Sequence, residues 1–436
     1  MDDTLLPAHL APGARLQPRP RTESDLRHFE VIRAAAIGGL ALSRPHRGAD
    51  GALQGPSRLW PASAQVLARA RIPEHAFSEA DRLLARPRDA AADPHLARSR
   101  RCWRAWHTRE FTAHDGVIPA DDAVMGRALA KVLPMEALRR LLRDPQGFVW
   151  RDALGWRPNR REPKLLELDR ASFGELVHET IRHAIDDLER GVGVSRASDS
   201  EIEGALEAAR SAIATGWAVT RAIPPALLWR RTLDRAAAMA HAALDHDRRP
   251  GMQVWAEVSF GREAPVAACG PWDAREPVRL GRLRVGGRVD RLDLSADDRT
   301  ALVTDYKTGR RPRNPARLVL GEGAELQRII YGLAAVQRQP EASEVASRLV
   351  YLADGPPAEH GLDRDAIGRA GVEVARHAEA AVALLVAGRA PPGPDARDPY
   401  NEQRLALPAD LDGYWRLKGA AVQSQAKPLA DLWNRP

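Results

Sequence analysis

The chain has 436 residues, 44% of them apolar, enough for a sizeable core and more readily for two domains than one. Its 65 basic and 58 acidic residues leave a net charge of +7, which permits nucleic-acid binding without requiring it. Two cysteines exclude a disulfide framework or a four-cysteine metal site, and the absence of a long apolar run or a signal-like N-terminus points to a cytoplasmic protein outside the membrane.

Residues 1–25 are rich in Pro, Arg and polar side chains and are expected to be poorly ordered. An apolar stretch follows (25–45), then a Gly-rich turn region (46–57) and about 75 residues of helical pattern broken by proline. A mainly helical N-terminal region therefore ends near residue 130, and 131–436 forms a second domain. There, Ser172 and Glu175 stand in capping-box spacing at the head of a helix over 172–191. Phe173, Leu176, Val177, Thr180, Ile181, Ala184, Ile185 and Leu188 make its apolar stripe, with His178 on the edge. Helix continues to about residue 246. Strands are predicted over 253–261, 283–295 and 300–308, then a helix (324–337), a strand (347–353) and a long helix (362–388), giving a mixed α/β core. Three basic clusters stand out: "RSRRCWRAWHTR" (98–109), "RPNRREPK" (157–164) and "KTGRRPRNPAR" (307–317).

The stretch "GGRVDRLDLSADDRTALVTDYKTGR" (286–310) carries the chemistry. With a two-residue turn at Asp297 and Asp298, Asp290 falls opposite Asp305, and Lys307 shares the face of Asp305. Opposed Cβ atoms lie about 5 Å apart, so two carboxylates converge where like charges repel. A hard divalent cation bound by oxygens would remove that repulsion. Arg291 and Asp293 alternate away from Asp290 and read as a structural pair. Glu257 reads equally as a solvent-facing strand residue or an auxiliary carboxylate.

"GRVDRLD…VTDYKTG", preceded by a helix with "GELVH" and followed by "LQRIIY", resembles the RecB-like branch of the PD-(D/E)xK nucleases, with its nearest likeness to AddB-type helicase–nuclease subunits. The resemblance implies a restriction-endonuclease-like core, a mixed β-sheet flanked by helices. It implies His178, Asp290, Asp305 and the Tyr306 backbone carbonyl as ligands of Mg²⁺ or Mn²⁺, and Lys307 as the group that positions water and stabilises charge. Gln327 and Tyr331 match the family's Q-x-x-x-Y helix beside the site, and Arg310, Arg311 and Arg313 follow as DNA contacts. Asp144 stands where many AddB-type nucleases have the first cysteine of an iron–sulfur cluster, so no cluster is expected, and packing by Trp150 and Trp156 would hold the ends together. No G-x-x-x-x-G-K-[ST] loop occurs, so no ATP site is expected. Residues 40–63 are similar to the end of the helicase-like region in AddB-type proteins, which suggests a remnant in 1–130 and a separate motor as partner.

The expected function is a metal-dependent deoxyribonuclease acting on single strands or ends in repair, recombination or defence. Two rivals stand beside it: a silent nuclease fold serving as a DNA-binding or scaffold subunit, and a metal-dependent nuclease of RNA.

Overall fold

In the computed structural model, residues 21–44, 53–61, 63–64, 78–157, 166–262, 270–312, 320–323, 325–353, 355–399 and 401–434 are described. Arg313, Cys269, residues 1–20 and most of the 157–164 basic loop lie outside them. Two compact units are present, Met1–Arg100 and Arg101–Pro436, whereas the sequence reading puts a boundary near residue 130.

The first unit contains helices α1 (Arg21–Ala35), α2 (Glu79–Ala85) and α3 (Pro87–Ala92). Residues 21–25, expected to be loose, belong to α1. Among its described residues, Ala90 is the buried apolar side chain.

Helix α4 (Pro94–Trp106) is followed by α5 (Ala123–Ala130), whose first amides are capped by the Asp122 carboxylate. Next come β1 (Val132–Pro134), α6 (Met135–Arg143), α7 (Pro145–Phe148) and one π-helical turn, Val149–Ala153. Three long helices form a layer: α8 (Arg170–Arg190), α9 (Asp199–Thr220) and α10 (Ala226–His246). The strands β2 (Met252–Phe260), β3 (Val278–Leu280), β4 (Leu283–Ser295) and β5 (Thr300–Lys307) follow. Helix α11 (Gln327–Arg338) leads to β6 (Glu344–Tyr351) and β7 (Ala358–Asp363). Helices α12 (Arg364–Val386), α13 (Leu411–Gln425) and α14 (Lys427–Trp433) close the chain.

The predicted core is a mixed sheet flanked by helices, and that is what forms. Strand β4 is its spine, pairing β1 in parallel and β3 antiparallel at its start, then β2 and β5 antiparallel further along. The sheet continues through β6, parallel to β5, to β7. One apolar layer joins α6, α11 and α12 to the sheet; the other joins α8, α9 and α10. The predicted stripe of α8, from Phe173 to Leu188, is the set of residues that α8 buries. Its cap differs. Asp169 accepts from the Ser172 amide and starts the helix at Arg170, while Glu175 turns outward to pair with Arg221. Asp169 has an extended backbone and a short carboxylate, so it captures the free amides before Ser172 can.

The ends of the domain meet through apolar packing of Leu429, Leu432 and Trp433 in the α6 layer and through polar contacts around Asp144. Asp144 accepts from the Gly393 amide (3.3 Å) and from Asn401 Nδ2 (3.1 Å), Arg143 pairs with Asp395 (2.6 Å), and Trp433 donates to the Leu142 carbonyl (2.8 Å). Trp150 is 37% exposed. Short polar side chains win here because both strands of this seam offer backbone groups that burial leaves in need of partners.

Candidate metal centre

The β4–β5 hairpin sets the site. Its register pairs Arg291 with Thr304 and Leu292 with Val303, so Asp290 and Asp305 occupy the next opposed position, as the sequence predicts. The connection is longer than two residues, because the strands stop at Ser295 and Thr300. Asp298 takes a left-handed backbone (φ 55°), and the Ser295 hydroxyl and Asp297 carboxylate share the turn's hydrogen bonds. The turn stays symmetric about the same centre, so the register survives.

At Asp290 the pleat breaks. Val289 enters the α11–α12 layer, yet Arg291, two residues on, faces the other way, opposite Ala256 of the α8–α10 layer. On β2, Val254 and Ala256 pack towards α8–α10, whereas Val258 and Phe260 pack towards α11–α12. Strict alternation would keep each set on one face. The switch falls at Glu257, whose left-handed φ of 56° takes it out of the ladder between the pairs Ala256–Arg291 and Val258–Val289. A non-glycine residue in that region costs on the order of 1 kcal/mol or more and is worth a functional explanation. Glu257 and Asp290 are thus set opposite each other at one distortion.

Several groups converge there. His178 Nδ1 of α8 lies 3.2 Å from Asp290 Oδ1, and ligand atoms of His178, Glu257 and Asp290 all lie within 4.8 Å of one another. Asp290 Oδ2 accepts from the Tyr306 amide at 2.8 Å. The carboxylate takes over the amide just beyond the point where the backbone ladder stops. Tyr306 therefore meets Asp290 through its N–H; its carbonyl as a ligand stays an expectation. Asp305 is buried; its Oδ2 pairs with Lys307 Nζ at 2.5 Å, and its Oδ1 has no hydrogen-bond partner. Lys307 also donates to Gln327 Oε1 at the start of α11, and Gln327 shares a hydrogen bond with the Tyr331 phenol. Tyr331 packs edge-on against Phe260, and both rings occupy the space that a side chain at Gly287 would need. The exposed Arg288 pairs with Glu257. Arg310 and Arg311 are exposed just beyond β5.

The electrostatics follow from burial and crowding. Burial, with the Asp290 charge, pushes Asp305 up to about 6 and Glu257 up to about 7. Burial opposes charge on Asp290 as well, but His178 and Lys307 hold it below its ordinary value. Burial would lower His178, yet the surrounding carboxylates, Asp290 first, raise it to about 9. Lys307 is raised by Asp305 despite its burial. Buried carboxylate oxygens without donors are costly, and a divalent cation is the usual remedy. One imidazole and two carboxylates, His178, Glu257 and Asp290, lie close enough together to hold such an ion. Asp305 falls outside that set and lies beside it, on Lys307.

The structure places His178 against Asp290, and Asp305, Lys307, Gln327 and Tyr331 in a contact series beside them. The sequence left open the place of Glu257, which belongs to the cluster.

A model of the PD-(D/E)XK nuclease superfamily matches residues 133–405. The chain belongs to that superfamily. Its members are generally metal-dependent nucleases, and Asp290 with Asp305-Tyr306-Lys307 supplies the pattern that names them. The matched span begins in β1 and ends beyond Asn401, so it covers the sheet, the site and the seam at Asp144. No curated protein matches the chain significantly. Among the described residues, no helix is long and apolar enough to cross a membrane.

Proposed function

We propose that this nuclease-superfamily chain is a divalent-metal-dependent deoxyribonuclease that hydrolyses phosphodiester bonds of DNA, on single strands or at ends, using Mg²⁺ or Mn²⁺. The observation that carries the reading is the convergence of His178, Glu257 and Asp290, beside a buried Asp305 that has Lys307 on one oxygen and no donor on the other. A cation in that set would act as a Lewis acid on the phosphate and bring water to a reactive state near neutral pH.

The protein's own groups do the rest. Asp290 and Asp305 are fixed by β4 and β5, and Asp290 is locked further by the Tyr306 amide. Lys307, held by Asp305 and Gln327, offers a compact positive charge for the phosphate oxygens as negative charge builds in the transition state. Tyr331 keeps Gln327 in place from the core side. Arg288, Arg310 and Arg311 are exposed cations suited to the flanking phosphates; that contact carries no base information. The resemblance to AddB-type subunits supports a role in repair, recombination or defence, in the cytoplasm, beside a separate ATP-driven motor.

The test is direct. The purified full chain is incubated with labelled linear, circular, single- and double-stranded DNA and with RNA, in Mg²⁺, Mn²⁺ or EDTA, beside Lys307→Ala. DNA cleavage that needs a cation and falls at least ~10²–10³-fold in Lys307→Ala is expected. Equal cleavage in EDTA or in the variant removes the reading. Cleavage confined to RNA moves the substrate class.

A further inference from the structure

The metal centre leaves one feature of the chain unused. From Pro94 to Arg109 there is no Asp or Glu, while arginine recurs. The C-terminal half of α4 and the turn after it show how Arg101–Arg109 is presented. Cys102, Ala105 and Trp106 are half-buried, and Trp106 Nε1 donates to the His114 carbonyl at 3.2 Å. Trp106 packs against the small core of Ala396, Leu407, Tyr414 and Val422, which fixes the rotation of the helix. At 100° per residue, Trp103 and His107 then lie nearly in line on the outward side, Arg104 follows 100° round from Trp103, and Arg101 closes the far edge of the exposed arc. All four are exposed.

We propose that this face is a docking surface for single-stranded nucleic acid, built around Trp103 and made of none of the residues of the metal centre. The inference rests on the nuclease reading only for the choice of nucleic acid as the anionic partner. The Trp103 indole is 60% exposed, even though the His107 imidazole stacks on it with ring centroids 4.0 Å apart and planes 30° from parallel. His107 is tied in turn to the Trp103 carbonyl at 2.7 Å. Two stacked rings form a preordered platform on which a base can stack. Arg104 lies next to it on the exposed arc, Arg101 at the arc's far edge and Arg109 in the segment after the helix, and among the described residues no carboxylate pairs with any of them. Unpaired guanidinium groups beside an exposed indole match a phosphate backbone with free bases. A protein partner fits less well, since protein interfaces centre on apolar side chains, and Trp103 has none exposed beside it in Arg101–Arg109. A duplex hides its base faces, so the stacking half of the surface would go unused.

The experiment measures binding of a fluorescein-labelled oligothymidylate, and of a duplex of equal length, to the full chain in EDTA over a range of salt. Trp103→Ala should weaken single-strand binding about tenfold and leave duplex binding nearly unchanged. Arg101→Gln with Arg104→Gln should reduce the salt slope by about 1.4. A matched double neutralisation, Arg230→Gln with Arg231→Gln on the exposed face of α10, should not. Binding indifferent to Trp103, or equal losses from both double variants, overturns the inference, the latter by tracing it to net charge. Cleavage with Trp103-indifferent binding sinks this inference alone, whereas Trp103-dependent binding without cleavage sinks only the nuclease reading.

Discussion

Two buried charge clusters share strands β4 and β5, and they are built on opposite rules. Behind the sheet, towards α10, Arg291 grips Asp293 through two nitrogens (2.9 and 2.6 Å) and also donates to the Asp247 carbonyl at 2.7 Å. Arg348 pairs with Asp247 and Glu359 and donates to Thr304 Oγ1 at 2.9 Å, while the Tyr306 hydroxyl completes Asp247 at 2.7 Å. Each buried aspartate there has its own arginine. At the metal centre, Asp290, Asp305 and Glu257 crowd around His178 and Lys307, and Asp305 has Lys307 on Oδ2 but no donor on Oδ1. In the first cluster both aspartates are matched oxygen by oxygen with donors from the chain. In the second that matching is incomplete, and the imbalance is what a ligand site would need and a purely structural cluster would not.

The strongest way to test the difference is to break the balanced side. Arg291→Met removes the partner of Asp293 in a place without water, and should cost about 3–5 kcal/mol of unfolding free energy in urea denaturation. A loss below about 1 kcal/mol would mean that the pairing behind the sheet contributes little.

Asp144 lies between the two cases: buried, given neutral donors, but without a cation bonded to it. Burial raises it from 3.8 to about 6. A carboxyl group raised on folding favours the folded state while it is protonated, and that contribution fades as pH climbs from about 4 through 6. The stability advantage of the parent over Asp144→Ala should therefore be larger at pH 4 than at pH 7.5, by up to about 3 kcal/mol. An advantage flat with pH would show that the clasp carries no proton.

On the unbalanced side the sign reverses. Asp305→Asn removes a buried negative charge that Lys307 meets on one oxygen only, so in EDTA at pH 7.5 the variant should be more stable by about 0.5–2 kcal/mol, and with Mn²⁺ present cleavage should be lost. Mn²⁺ should raise the melting temperature of the parent and not of the variant. A variant less stable than the parent in EDTA would show that Lys307 already satisfies Asp305.

The two sides were not equally legible in the sequence. The opposition of Asp290 and Asp305 was, because a short hairpin fixes register locally. So was the pair Arg291–Asp293, two residues apart on one strand. The partners that come from far along the chain were not. Asp247 ends α10, Arg348 lies in β6, and nothing in their local patterns announces a shared cluster. Glu257 stayed ambiguous because the register of β2 against β4 is set across a long connection, and because a left-handed strand residue leaves no mark in composition. The strands β1 and β3, three residues each, carry too little periodicity to be seen.

Tyr306 touches both clusters, and it supplies the smallest and most telling perturbation. Its amide holds Asp290 and its hydroxyl holds Asp247 through the opposite face of β5. Tyr306→Phe deletes the second contact and leaves the first. Asp247 keeps Arg348, so the stability loss should be only about 1 kcal/mol. If the balanced cluster also serves to hold β5 still for the unbalanced one, Mn²⁺ affinity measured by calorimetry should fall several-fold in the same variant. Unchanged affinity would mean that the hairpin and α11 alone fix the metal ligands, and that the arginine cluster belongs to stability only. A drop would make the order behind the sheet a condition for the deliberate imbalance in front of it.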